Sequence, residues 1–184
     1  DENIRAVFIA RGGYGTVRII DHLDFSSMRK NPKWICGFSD VTVLHSQLLN
    51  ENISSLHCAM PFSLQTASED TLSELKNVLF GNSLNYSFQT DELNRAGNAN
   101  GILCGGNLSL LVNSIGTKTD IDTDDKVLFI EDVDEHLYHF DRMMQQMKRS
   151  GKLKSLAGLV VGHLTDMKNL NPENPFGKKA KQIV

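Results

Sequence analysis

Short apolar runs alternate with amphipathic stretches along the first fifty residues of the chain. Residues 4–10 form an apolar run that ends at a glycine-rich turn, and residues 33–38 form a second run after an Asn-Pro pair. Such runs, bounded by turn residues, are typical of buried parallel strands. In residues 16–23 and 40–49 the apolar positions recur at helical spacing. This order of strand, helix, strand and helix predicts a parallel α/β sheet.

The middle of the chain has a different, more polar pattern. Thr71 and Glu74 have the spacing of a capping box, which predicts a short helix from there to Phe80. Residues 81–100 are rich in Asn, Ser and Gly and predict a linker with at most a short strand near residues 84–88. We therefore expect residues 1–80 to belong to an N-terminal α/β domain and residues 101–184 to a C-terminal domain.

The segment after the linker repeats the alternation of strands and helices. Five elements are predicted here: a strand at 101–107 with glycines near its end, a helix at 108–115, a strand at 126–130, an amphipathic helix at 135–149 and a strand at 156–164. The predicted fold class is therefore α/β, with a parallel sheet in the first segment and a second, smaller α/β unit.

Composition and charge exclude several classes of function. The net charge of −3 and the pI of about 6.1 do not favour binding to nucleic acid or to an anionic membrane. No apolar run approaches the length of a membrane span. Three cysteines without a CxxC motif predict free thiols in a reducing compartment, and hence a cytoplasmic location. Whether an N-terminal part outside the chain carries a signal peptide is not decided by this sequence.

Ser39 lies at the turn between a predicted strand and the helix that follows it. Ligands of open parallel sheets bind beyond the carboxyl ends of the strands, so this turn is a candidate site. A serine in a tight strand-to-helix turn has the geometry of a nucleophile elbow, where the backbone N–H of Asp40 would help stabilise an oxyanion. Gly37 and Ser39 match only part of the GxSxG pattern. From these residues alone, a helix cap is the favoured interpretation.

Other predicted strand ends also carry candidate residues. In the segment 11–13, glycines let backbone N–H groups approach a ligand, and Arg11 is suited to a carboxylate, although a tight turn explains the glycines equally well. Glu131 ends a buried strand, where a carboxylate either orients a catalytic histidine or caps the next helix. Gly105 and Gly106 are explained by a turn or by close packing, and neither explanation needs a ligand.

Six histidines are candidates for a catalytic base. His163 is favoured by position because it follows the apolar run 156–161 of the last strand, and His57 lies at the expected end of another strand. Any one of them is more often a structural or surface residue. Glu135, His136 and His139 do not form an HExxH motif, and no other cluster has convincing ligand spacing. The sequence therefore predicts no metal and no cofactor.

Taken in order, a set of short motifs resembles the LD-carboxypeptidase family, the muramoyltetrapeptide carboxypeptidases among the serine peptidases. Each motif is weak singly, but their order and spacing across nearly the whole chain make the resemblance specific. The motifs are Arg11-Gly12-Gly13-Tyr14-Gly15, Gly37-Phe38-Ser39-Asp40-Val41-Thr42, His57 with Met60-Pro61, Gly105-Gly106-Asn107-Leu108, Gly116-Thr117, Phe129-Ile130-Glu131-Asp132-Val133 with Glu135, and Tyr138 with Asp141-Arg142-Met143.

The resemblance implies a two-domain enzyme with a flavodoxin- or Rossmann-like N-terminal domain, here incomplete, and an active site between the domains. It implies a Ser-Glu-His triad, with Ser39 as the nucleophile and Glu131 as the carboxylate. The N–H groups of Asp40 and Gly13 would stabilise the oxyanion. Arg11 would hold the substrate carboxylate, a role inferred from its charge. The family's histidine, in a Gly-His motif, has no match here and is expected C-terminal to Val184.

The implied reaction is cleavage of the L,D-peptide bond that releases terminal D-Ala from murein tetrapeptides during peptidoglycan recycling, so the expected partner is a murein peptide. The sequence leaves a homodimer open. An alternative in the same family is a microcin C immunity peptidase, although the segment 11–15 favours the carboxypeptidase branch. An alternative of another class is a catalytically silent α/β module that binds a small carboxylated or phosphorylated ligand.

Overall fold

The computed structural model describes residues 1–184 and contains two parallel sheets of three strands each. The first sheet has the order β1-β2-β3. Its strands are β1 (Ala6–Phe8), β2 (Trp34–Gly37) and β3 (Leu56–His57). In the parallel register, Phe8 lies opposite Cys36 and Gly37 lies opposite His57. The carboxyl ends of the three strands therefore meet at one edge, and the predicted α/β class is confirmed.

Short helices connect the strands of the first sheet. They are α1 (Thr16–Ile19), which continues as a 3-10 turn at Ile20–His22, α2 (Ser26–Lys30) and α3 (Thr42–Asn50). A 3-10 turn at Ser39–Val41 precedes α3, so the helix predicted at 40–49 begins with a tighter turn. Val41 and Leu48, two members of the predicted helical stripe, are almost completely buried, and so is Val43, which that stripe did not include.

The middle segment contains α4 (Pro61–Leu64) and α5 (Glu69–Leu79). The predicted capping box at Thr71 was wrong, because α5 begins two residues earlier and the hydroxyl of Ser68 accepts a hydrogen bond from the N–H of Thr71. No helix or strand forms between α5 and residue 103, including residues 84–88. The division into domains at 81–100 stays a prediction.

The second sheet follows this segment and has the order β4-β5-β6. Its elements are β4 (Leu103–Asn107), α6 (Leu108–Ser114), β5 (Val127–Val133), α7 (Leu137–Arg149), β6 (Gly158–Thr165) and α8 (Ala180–Ile183). Leu128 of β5 and Phe140 of α7 have no exposed surface and lie in the core that these elements share. None of the helices has the length and apolar character needed to cross a membrane.

Two strand ends lie further along the chain than the sequence predicts. β5 does not stop at Ile130, because its last residues continue to pair with β6, with Val133 opposite Thr165. Glu131 therefore lies within the strand rather than beyond it. The prediction that His163 lies just beyond a strand that ends with the run 156–161 was wrong as well, since β6 continues to Thr165 and His163 lies inside it.

The two sheets approach each other where α3 packs against the end of β4. A Cβ on Gly106 would lie 2.7 Å from Oγ1 of Thr42, and a Cβ on Gly105 would lie 2.0 Å from the carbonyl oxygen of Phe129. Both glycines have positive φ angles, of 117° at Gly105 and 145° at Gly106. Close packing therefore requires glycine at both positions, against the backbone of Phe129 at Gly105 and against the side chain of Thr42 at Gly106.

We expect Gly105→Ala to lower the free energy of unfolding by about 2–5 kcal/mol, because the new methyl group meets backbone atoms at an unfavourable φ. Gly97→Ala is the matched control, since a Cβ there meets nothing within 4 Å. Urea unfolding of both variants would measure the difference. Equal stabilities would show that the sheet accommodates a side chain at residue 105.

Candidate active site

Ser39 occupies a sharp turn between β2 and α3 with a φ of +62°, which is unusual for a residue with a side chain. The first turn of this helical segment has no side-chain cap, and Ser39 forms no hydrogen bond through its hydroxyl. Oγ instead lies beside Gly12, where a Cβ would be 3.3 Å away. A strained serine with an uncommitted hydroxyl is the arrangement of a nucleophile elbow rather than of a helix cap.

The side chain of Asp40 holds the glycine-rich segment 11–15 against this turn. Its Oδ2 accepts hydrogen bonds from the N–H of Thr16 at 3.0 Å and from the hydroxyl of Thr16 at 2.7 Å. Asp40 is 7% exposed, and its Oδ1 is buried without a hydrogen-bond partner. Gly13 approaches the same carboxylate, with a Cβ position 3.8 Å from Oδ2. The side chain of Asp40 therefore fixes the segment 11–15 near Ser39.

Arg11 lies on the solvent side of this segment. Its side chain is exposed and forms no salt bridge. Gly13 is exposed as well. A guanidinium without an ionic partner is available to a carboxylate that enters the site, and such a pair is frequently bidentate.

Glu131 lies near the carboxyl end of β5, opposite Asn107 of β4. Burial raises the pKa of Glu131 to about 7, and the charge of Asp132 adds to this, whereas the side-chain amide of Asn107 acts in the opposite direction. Its Oε1 is buried without a hydrogen-bond partner. A carboxylate with an unused acceptor is suited to accept a hydrogen bond from an imidazole N–H.

His57, at the end of β3, packs its ring against β5 of the second sheet. His57 lies opposite Gly37, two residues before Ser39, and its ring packs edge-on against Phe129 with 5.1 Å between centroids. Because side chains alternate along a strand, Phe129 and Glu131 share one face of β5. Glu131 therefore lies on the face of β5 against which the ring of His57 packs, and His57 belongs to the strand that pairs with the end of β2, just before Ser39.

The structure gives the histidines different surroundings. Partial removal of the ring from water and the charge of His45 lower the pKa of His57 to about 4, and the ring forms no hydrogen bond with Ser39 or Glu131. His45 has a structural role, since its Nε2 lies 2.9 Å from the carbonyl oxygen of Gly37. His139 pairs with Glu135 at 2.6 Å through Nδ1. No histidine of the chain is hydrogen-bonded to the candidate nucleophile.

No group of three or more His, Cys, Asp or Glu side chains has a metal-binding arrangement. All three cysteines are free, with Cys36 and Cys104 buried. What the sequence did not reveal is the set of polar contacts behind the site, made by Thr16, Thr42 and Asn107. Thr42 belongs to the same motif as Ser39, but only the folded chain shows its partner.

Models of LD-carboxypeptidase domains match two parts of the chain. The N-terminal domain model matches residues 1–58, and the C-terminal domain model matches residues 100–184. A probable murein peptide carboxypeptidase of Bacillus subtilis strain 168 is 40% identical over 167 residues, which cover 88% of this chain and 52% of that protein. The chain spans about half the length of the curated relatives it matches.

Solved structures agree with the family models. The muramoyltetrapeptide carboxypeptidase of Oxalobacter formigenes has a TM-score of 0.90 at 31% identity, covering 100% of this chain and 62% of that chain. The microcin C7 self immunity protein MccF, in complex with aspartyl sulfamoyl adenosine, has a TM-score of 0.81 at 16% identity and covers 100% of this chain and 63% of that chain. The likeness to MccF shows the fold alone. With its N- and C-terminal domain models matched in order and the same fold over its whole length, the chain belongs to the LD-carboxypeptidase family.

Proposed function

We propose that this chain carries the nucleophile and the orienting carboxylate of a serine carboxypeptidase that releases terminal D-Ala from murein tetrapeptides. The observation that carries the proposal is the strained turn that holds Ser39, and it is supported by Glu131, whose buried Oε1 has no hydrogen-bond partner, on the strand face that packs against His57. The names of the relatives, murein peptide and muramoyltetrapeptide carboxypeptidase, support the substrate class. The free thiols support a reducing compartment, in line with cytoplasmic peptidoglycan recycling.

In the proposed reaction, Ser39 Oγ attacks the carbonyl of the L,D-peptide bond while the histidine of the triad takes the hydroxyl proton. The same imidazole then gives that proton to the nitrogen of D-Ala, which leaves, and the acyl-enzyme is hydrolysed by water. Glu131 accepts a hydrogen bond from the imidazole and stabilises its positive charge. The N–H groups of Asp40 and Gly13 stabilise the oxyanion, and Arg11 pairs with the carboxylate of D-Ala.

The direct test is to incubate the complete gene product with a murein tetrapeptide and to quantify the D-Ala released. A tetrapeptide that ends in L-Ala is the matched control substrate and should stay intact. Hydrolysis of a peptidyl-aminoacyl-adenylate without D-Ala release would favour the microcin C immunity activity instead. Binding of a tetrapeptide without hydrolysis of either substrate would favour the silent binding module.

We expect Thr16→Val to lower kcat by about tenfold, because the segment 11–15 loses the 2.7 Å hydrogen bond that ties it to Asp40. Thr16→Ser keeps the hydroxyl and should retain most of the activity. Steady-state kinetics of D-Ala release would compare the two variants. Equal activity of Thr16→Val and wild type would show that Asp40 does not position this segment.

A further inference from the structure

Thr42, the first residue of α3, is completely buried where the two sheets meet. It follows Ser39 by three residues, within the helical turn that continues from the nucleophile. Its Oγ1 accepts a hydrogen bond of 3.0 Å from the backbone N–H of Asn107, which ends β4. Gly106, without a side chain, leaves the space that this contact needs.

Asn107 carries the connection onward to β5. Its backbone lies opposite Glu131 in the parallel register, and its side-chain amide donates a hydrogen bond of 3.0 Å to Oδ1 of Asp132. The carboxylate of Asp132 also accepts hydrogen bonds from the backbone N–H groups of Ser109 and Val133. These contacts fix the last residues of β5, where Glu131 lies.

The groups that act on Glu131 come from its own strand and from β4. Asp132 is the neighbouring charge on β5, and Asn107 on β4 supplies the amide. On β6 the neighbour is Gly162, where a Cβ would lie 3.3 Å from Cβ of Glu131. The hydrogen bond to Thr42 is therefore made by the same residue whose side chain influences Glu131.

We propose that Thr42 is a positioning residue that sets Glu131 against Ser39, by accepting the backbone hydrogen bond of Asn107. The inference rests on the proposed roles of Ser39 and Glu131 in the reaction. Thr42 begins the helix behind the nucleophile and touches the strand beside the carboxylate. One hydroxyl group thereby joins the two halves of the site, without contacting the substrate.

The test compares Thr42→Val, which keeps the shape of the side chain and loses the hydroxyl, with Thr42→Ser, which keeps the hydroxyl. In the complete gene product, Thr42→Val should lower kcat by about tenfold or more, with KM changed less than about threefold. Thr42→Ser should stay within about threefold of wild type. Thr42→Ala is the second variant, because it lacks the hydroxyl and any methyl that would crowd Gly106.

A second readout does not depend on activity. The pKa of Glu131, measured by carboxyl ¹³C NMR titration, should rise by about 0.5 or more in Thr42→Val, because a displaced Asn107 no longer acts on the carboxylate. Thr123→Val is the control, since Thr123 is a buried threonine whose hydroxyl donates to the carbonyl of Lys152, away from the site. It should lower Tm as Thr42→Val does, but leave kcat and the pKa of Glu131 unchanged.

The outcomes separate the two proposals. An unchanged pKa of Glu131 in both Thr42→Val and Thr42→Ala would overturn the positioning role, whatever the activity. If the pKa of Glu131 rises in Thr42→Val but the complete gene product releases no D-Ala, the coupling between Thr42 and Glu131 is supported and the proposed reaction is refuted. Loss of activity in Thr42→Ser equal to that in Thr42→Val would also overturn the role of the hydroxyl.

Discussion

Ser39→Ala should reduce the release of D-Ala from a murein tetrapeptide by about 10,000-fold or more, because the acyl-enzyme cannot form without the hydroxyl. The fold should remain intact, since alanine and serine are similarly strained at the φ of +62°. Activity would be measured as D-Ala released per minute by the complete gene product, and stability by thermal unfolding.

Ser39→Gly is the matched variant for the strain in this turn. It should be as inactive as Ser39→Ala, yet more stable than it by about 1 kcal/mol, because glycine adopts a positive φ without steric cost. Retention of activity in either variant would rule out Ser39 as the nucleophile. Equal stability of the two variants would instead indicate that the turn relaxes when the hydroxyl is removed.

Glu131→Gln should lower kcat by about 1,000-fold, since the neutral amide stabilises the positive charge on the imidazole far less. KM should change little, because Glu131 acts on the histidine and not on the substrate. Glu131→Asp is the control that keeps the charge and should be intermediate. A wild-type rate in Glu131→Gln would remove this residue from the triad.

The same substitution should change the pH dependence of stability. The pKa of Glu131 rises from 4.5, its ordinary value, to about 7 in the folded protein. The folded state therefore holds the proton more tightly, and stability is lost as the pH rises from about 4 through 7. Glu131→Gln should be more stable than wild type at pH 8, by up to about 3 kcal/mol.

This difference should vanish below about pH 4, where the carboxyl group is protonated in both states. Urea unfolding at pH 4, 6 and 8 would measure it. Parallel pH profiles of the two proteins would show that burial of Glu131 carries no electrostatic cost. We therefore expect Glu131 to lower the free energy of unfolding at pH 8 while it serves the reaction.

The local pattern of apolar and polar residues was sufficient to predict the order of strands and helices and the position of Ser39 at a turn between a strand and a helix. Apolar runs predicted β2, β4 and β5, because buried parallel strands are continuously apolar. The end of β5 was not predictable from its own residues, since it depends on pairing with β6. The start of α5 was missed because two capping patterns overlap at Ser68 and Thr71.

The contacts that assemble the site join residues far apart in the chain. Thr16 and Asp40 are 24 residues apart, and Thr42 and Asn107 are 65 apart. Periodicity reports only neighbours within a few turns or strands, so neither contact could be inferred from it. The resemblance of the motifs assigned Ser39 and Glu131 to one site, and the fold adds the contacts that fix the elements carrying these two residues.

The glycine pair at the end of β4 limits how this site can change in evolution. Any side chain at residue 105 meets the backbone of Phe129 and any at residue 106 meets Thr42, so the end of β4 beside β5 has no freedom to vary. Tyr14 is 86% exposed, and Arg11 of the same segment is exposed too. New substrate preferences should therefore arise by substitutions in the segment 11–15, and a library confined to these positions should yield folded variants far more often than one that includes the glycine pair.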